Sequence, residues 1–365
     1  MKHKIAFFLL LLGFALQTSA QPHTHMTVVY LLPMNSGEIN QIGMGTFKEP
    51  RDIHKTFSKS LVGFWCGAQI ALSELEDAGY ELEIIARELN GNDTNKLNRI
   101  FKEPKVQQAQ LIIAPVSKDI FPYVAKLAKA HKIPLANPLS TREEIITDNK
   151  YVYKLMPSNS ARAAVIADLY PGANIILWGT VQANDYADYF QENGIHFTSL
   201  SDTASFIPLL SEEKNNVVIA CTQNTNQCAQ LAAKMEAARK KPALDWFLNP
   251  KILTDNKFDF MSIHSFPLYF FADTYVDEND EAVQVFQYNF IRRFGAVPST
   301  LNFAYQGYDV THFFIRMISN NFTAPQDFTP LSYHFKFKRP DKSGGAENYG
   351  VRLVKMTELK TQVIQ

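Results

Sequence analysis

QLIIAPVS, residues 110–117, and IPLANPLST, residues 133–141, decide how this chain is read. Each begins as a short apolar run and ends on a proline followed by hydroxyl residues, with one helix-length segment between the two stretches. Runs this short and this apolar match strands covered on both faces, the pattern of a parallel sheet. Proline ends such a strand because it has no N–H for the ladder. Ser117 in the first stretch, and Ser140 with Thr141 in the second, fall where a strand gives way to the next helix. In an open parallel sheet that is the crevice in which ligands bind. Hydroxyls and free backbone N–H groups there suit a carboxylate or another polar head, and the same groups equally serve as caps and turn closers. Asp119 stands where it would cap the helix after Ser117.

The alternation extends in both directions. MTVVYLLPM (26–34) reads as a buried strand, and Leu61, Trp65, Ala68, Leu72 and Leu75 recur on one helical face before Gly79 at the cap position. ELEIIA (81–86) is a second strand, followed by helical residues 94–108 and 119–131 around the two opening stretches. After YVYKLM the series restarts, with a helix over Ala161 to Tyr170, a strand at NIILWG, a helix over Tyr186 to Asn193, a strand at NNVVIAC and a helix over 226–240. Two such series predict an α/β fold of two similar lobes, each a parallel sheet with helices on both sides. Near the end, YHFKFK (333–338) alternates aromatic with polar residues, and a turn at Gly344-Gly345 predicts an antiparallel hairpin with YGVRLVKM.

Lys2 and Lys4, the apolar run Ile5 to Leu16 and small residues through Ala20 read as a cleavable export signal. No later segment reaches the roughly 20 apolar residues of a membrane helix. The 36 basic and 36 acidic residues balance, with no basic stripe for nucleic acid. Cys66 reads as a buried thiol, and spacing leaves open whether Cys221 and Cys228 form a bridge. The histidines show no metal-ligand spacing, so neither metal nor cofactor is expected. There is no nucleophile elbow and no complete phosphate-binding loop. Phe270, Phe271 and Tyr275 lie on an apolar segment suited either to packing or to lining a cleft.

VVYLLPM, LIIAPVS, HKIPLANPLST, KYVYKLMPSNSARAAVIADLY and GYDVTHFF, in that order, resemble the type I periplasmic solute-binding proteins of the branched-chain amino-acid type and the related receptor ligand-binding regions. The ending FKFK, GGAEN and VRLVK is similar to the group found with LysM peptidoglycan-binding modules. The resemblance implies two Rossmann-like lobes with parallel sheets joined by three hinge crossings. Lobe one would hold residues 27–153 and 278–325, and lobe two 157–277 and 326–360, with crossings near 153–157, 269–277 and 327–332. It implies a ligand carboxylate held by Ser117, Ser140 and Thr141 from lobe one. Tyr186, Thr222, Gln223 and Asn249 would face it from lobe two. Two departures stand out: Ala114 replaces the family's glycine before the first proline, and no acid cleanly matches the partner of a ligand ammonium group, Asp185 and Asp245 being the candidates.

The expected function is that of a non-enzymatic protein, periplasmic or exported after cleavage near Ala20. It would enclose a small amino acid or related carboxylate between its lobes and work with a membrane permease of an ABC transporter or with a cell-envelope protein. One alternative is an envelope scaffold or regulator of the same fold, binding peptidoglycan or a wall-synthesis protein. Another is a two-lobed enzyme of the glycosyltransferase kind.

Overall fold

The structure, a computed structural model, describes residues 25–36, 61–140, 142–179, 183–222, 224–238, 243–249, 252, 267–299, 303–358 and 360–364. The export signal expected in residues 1–20 lies outside them. The chain runs through β1 (Met26–Leu32), α1 (Val62–Asp77), β2 (Leu82–Glu88), α2 (Thr94–Ile100), α3 (Pro104–Gln107), β3 (Leu111–Ile113), α4 (Phe121–His131), β4 (Leu135–Asn137) and β5 (Val152–Lys154). It continues through α5 (Asn159–Leu169), β6 (Asn174–Trp178), α6 (Ala183–Glu192), β7 (Phe197–Leu200), β8 (Asn216–Ala220), α7 (Thr225–Ala238), β9 (Leu244–Phe247) and β10 (Leu268–Ala272). The last part comprises α8 (Glu281–Phe294), α9 (Ala304–Ser319), β11 (Phe337–Lys338), β12 (Ala346–Asn348), β13 (Arg352–Thr357) and β14 (Lys360–Val363).

These strands build two lobes, each around one sheet. The first sheet has the order β11-β12-β5-β4-β3-β1-β2 and the second β14-β13-β10-β9-β8-β6-β7. In each, the central strands are parallel and the C-terminal strands add antiparallel pairs at one edge. Along β1, Val28, Tyr30 and Leu32 pack into one core while Val29 and Leu31 pack into the other. That two-sided burial is why the strand is apolar at every position. The second sheet is covered likewise on both faces, and this separates the two cysteines: Cys221 packs in one layer and Cys228 in the other. Both are free thiols, since a bridge between them would have to pass through the sheet.

Local chemistry sets the helix ends. Past α1, Gly79 adopts φ +92° and the Tyr80 N–H returns to the Leu75 carbonyl, closing the last turn. The helix after Ser117 starts differently from expectation. Its first hydrogen bond runs from the Phe121 N–H to the Ser117 carbonyl, and Ile120 rather than Asp119 holds the cap position. Pro122 in the first turn lacks an N–H, which lowers the demand for a side-chain cap.

Helices α1 and α9 cross at glycines. A Cβ on Gly67 would lie 1.8 Å from the Ala304 carbonyl oxygen, and one on Gly307 would lie 1.9 Å from that of Phe64. Backbone cannot yield as a side-chain tip can, so Gly307→Ala should destabilise lobe one by roughly 2 kcal/mol, within the usual range for overpacking. A lowered urea midpoint with unchanged slope is the expected reading. An unchanged midpoint would mean that the crossing is looser than these distances imply.

The C-terminal segment departs from expectation. The predicted hairpin does not form between 333–338 and 349–356. Instead β11 pairs with β12 in the first sheet, and β13 pairs with β10 in the second. Residues 337–348 therefore pair within the first sheet, and pairing passes to the second sheet from Arg352. Two contacts fix this. The Glu347 carboxylate meets the Lys154 ammonium at 2.9 Å, which seats β12 beside β5. At Gly350 a Cβ would lie 1.7 Å from the His334 carbonyl oxygen, so the crossing tolerates no side chain.

Candidate functional site

Strand order locates the crevice. In the first sheet the chain reverses direction of growth between β1 and β3, and in the second between β6 and β8. Ligands of open α/β sheets bind beyond the carboxyl ends at such switch points. Ser117 follows β3 and Thr222 follows β8, so each stands at one of them. Crossings leave β5, β10 and β12 at their carboxyl ends, and β13 enters beside the end of β10, which brings the carboxyl edges of both sheets to the same junction.

On the lobe-one side Ser117 is exposed. One strand over, the Asn137 side chain accepts hydrogen bonds from the Leu139 and Ser140 N–H groups at 3.0 and 2.8 Å, winding the chain into a tight turn. The Ser140 hydroxyl oxygen accepts from the Arg142 N–H at 3.2 Å. Ser140 thus closes a turn in this conformation, the second of the two roles open to it from sequence. Thr141 lies outside the described residues.

On the lobe-two side Gly179 has φ +115°, and a Cβ there would lie 3.0 Å from the Thr222 nitrogen, so glycine permits close approach of the two strand ends. Thr222 is engaged locally: its Oγ1 donates to Gln227 Oε1 at 2.9 Å and accepts from the Asn224 N–H at 3.0 Å. Gln223 lies outside the described residues. Tyr186 and Asn249, expected as partners, do come together, lining one small cavity with Arg162, Cys221, Phe247 and Phe271. Its volume is about 40 Å³, room for one or two waters and not for an amino acid.

Arg162 and Asp273 are the charged pair that sequence reading missed. Arg162 Nη2 donates to Asp273 Oδ1 at 2.5 Å and Nη1 donates to Asn159 Oδ1 at 2.9 Å, while Nε is buried and has no hydrogen-bond partner among the described residues. Burial works against the guanidinium charge most strongly, yet Asp273, Tyr186 and Glu347 together outweigh it and hold the group above its ordinary value. A local signal existed: a cation near the start of α5 opposes the helix dipole and calls for a reason. Burial pushes the Tyr186 hydroxyl far above the usual tyrosine range and the Cys221 thiol up to about 12, so both are neutral donors. Of the expected ammonium partners, Asp185 is exposed at the rim and accepts from Asn159 Nδ2 at 3.0 Å. Asp245 sits near the amino end of β9, bonded to Asn215, at the opposite edge of the sheet from the cavity. Asp273, paired with Arg162, follows the carboxyl end of β10 beside the junction.

Among the described residues no group of three or more His, Cys, Asp or Glu is arranged to hold a metal ion, and no helix is long and apolar enough to cross a membrane.

No family model matches this sequence, and no curated protein matches it. Solved structures do match in shape. A protein assigned as a branched-chain amino acid ABC transporter from Rhodospirillum rubrum superposes with a TM-score of 0.61 at 12% identity, over 93% of this chain and 99% of that one. A branched-chain amino acid ABC transporter periplasmic ligand-binding protein from Burkholderia xenovorans LB400 gives 0.53 at 13% identity, over 93% and 94%. An ABC transporter substrate-binding protein from Desulfitobacterium hafniense gives 0.50 at 15% identity, over 93% and 99%. With its two lobes and parallel-dominated sheets, this chain has the type I periplasmic binding protein fold.

Proposed function

We propose that this chain is an exported, non-catalytic solute-binding protein whose lobes close on a small polar ligand, an amino acid or related carboxylate. The observation that carries the reading is the lobe-two edge, where Arg162, Asp273, Tyr186 and Asn249 gather opposed charges and polar donors beside the interlobe junction. Arg162 would meet the ligand's carboxylate through its unpaired Nε–H, Asp273 its ammonium group, and Ser117, Ser140 and Thr141 would close from lobe one. The lobes would divide at residues 155–158, 273–280 and 349–351. Cleavage near Ala20 would release the protein to the periplasm or exterior, to work with a membrane permease. The ligand would favour the closed state through contacts made with both lobes at once. The shape of the Burkholderia periplasmic ligand-binding protein supports the same reading.

The test is thermal stability of ligand-stripped, refolded protein against free amino acids and small carboxylates. One class should stabilise, by about 2.7 kcal/mol at a hundredfold excess over its Kd. Tyr186→Phe with Asn249→Ala should remove most of that gain. No shift across the panel would end the proposal. It would favour a scaffold of the same fold that binds peptidoglycan or a wall-synthesis protein, a reading supported by the about 40 Å³ cavity and by the existing Arg162–Asp273 contact.

A further inference from the structure

One large cavity lies away from the junction. A groove of about 900 Å³ lies at the opposite end of lobe one, against the amino ends of β4 and β5 and outside the edge strand β11. Its floor is Tyr153, Phe313, Met317, Phe335 and Phe337. Phe313 stacks on Phe335 at 4.1 Å, and Tyr153 meets Phe337 edge-on at 5.6 Å, so the floor is a fixed aromatic surface. Phe335 and Phe337 stay half-buried, and Phe322 on the rim is 53% exposed. An open apolar floor of this kind marks an interaction site.

The surroundings are cationic. Lys132, Lys150, Lys336, Lys338, Arg339 and Lys342 border the groove, with no carboxylate among the described residues that line it. In a chain whose charges balance overall, so many cations around one concavity repel one another unless an anion answers them. Three make contacts within the protein. Lys150 lies over the Tyr151 ring at 5.5 Å and Lys338 over the Tyr349 ring, contacts that leave the ammonium groups able to meet an anion, and Arg339 donates to the Lys150 and Gly344 carbonyls and to the Tyr153 hydroxyl. Two acids close by in the chain are engaged in their own turns: Asp341 accepts from the Ser343 and Gly344 N–H groups, and Asp148 from the Ser343 hydroxyl.

We propose that this groove is a second binding site, separate from the interlobe junction, for a single-chain amphiphilic anion: an acyl body on the aromatic floor with a carboxylate or phosphate head among Lys132, Lys150 and Lys342. Its concavity argues for one molecule entering rather than for a flat membrane surface, and its size lies within the roughly 300–1,000 Å³ of small-molecule sites.

Calorimetric titration of the whole chain with dodecanoate and with dodecyl phosphate, each below its aggregation concentration, tests this. Both should bind saturably, one per chain, with roughly tenfold weaker affinity in Lys150→Glu/Lys342→Glu and at high salt, as screened charge contacts require. Tyr186→Phe should leave this binding unchanged, so its failure and that of the interlobe reading are separable. Equal binding of uncharged dodecyl maltoside, equal binding of inorganic phosphate alone, or indifference to the charge reversals would each overturn the proposal. Binding to phosphatidylglycerol vesicles without binding of the monomeric anions would also overturn it and would assign the groove to a membrane surface.

Discussion

Asp309→Ala should lower the unfolding free energy by roughly 4 kcal/mol, a loss that few single substitutions produce. Asp309 lies on α9 and is fully buried. Its carboxylate accepts from the N–H groups of Leu331, Ser332 and Tyr333 at 2.7, 2.7 and 3.0 Å and from the Ser332 hydroxyl at 2.7 Å. Alanine would leave three backbone donors in the core without an acceptor, each costing about 1–3 kcal/mol. The damage should spread toward the junction, because the Ser332 carbonyl accepts the Tyr275 N–H at 2.9 Å and so ties this segment to the crossing after β10. Asp309→Asn, which keeps the shape and one acceptor, should lose less. Urea unfolding measures both, and limited proteolysis should show faster cleavage near residues 327–336 in the alanine variant. Equal midpoints for wild type and Asp309→Ala would mean that water or a shifted backbone satisfies those donors.

Asp309 also shows where sequence reading stops. GYDVTHFF contributed to the family resemblance, but nothing in its spacing says that the acid turns inward to hold a segment 22 residues away in the chain. The lobes were legible because each strand carries its own signature, an apolar run with both faces covered, and each helix its own period. Partner choice is not local. Ala346-Glu347-Asn348 follows the expected turn at Gly344-Gly345 and carries no apolar run, yet all three residues are buried as an inner strand. Distant partners make that burial tolerable, Lys154 and Ser158 for Glu347 and the Leu155 carbonyl and Lys336 N–H for Asn348, and no local pattern names them. Ser117 and Ser140 follow the carboxyl ends of β3 and β4, but sequence could not tell that Ser140 and Thr222 would be engaged in their own turns.

The Lys154–Glu347 pair should show the largest coupling in the molecule. Both side chains are almost wholly excluded from solvent, at 0% and 3% exposure. Lys154 Nζ also donates to the Met156 carbonyl at 2.7 Å, and Glu347 Oε1 accepts the Ser158 N–H at 2.7 Å. Taking either partner away strands a charge in the core, so Lys154→Met alone should cost about 3–5 kcal/mol. Glu347→Gln alone keeps an acceptor for Ser158 but removes the negative charge that neutralises the ammonium, and should also destabilise strongly. Combining the two removes both charges together, and the double variant should recover at least about 2 kcal/mol of the summed loss. A double-mutant cycle by urea unfolding gives the number directly. Simple additivity would mean that each charge is satisfied independently of the other. The location gives the pair its meaning. Lys154 ends β5, Ser158 caps α5 and Glu347 lies in β12, so one ion pair fastens the first crossing to the strand that leads into the third. On the proposed function, a hinge held this way would bend around a fixed point, and Ser117→Ala, which keeps the pair and alters an exposed hydroxyl, should change ligand response without changing stability.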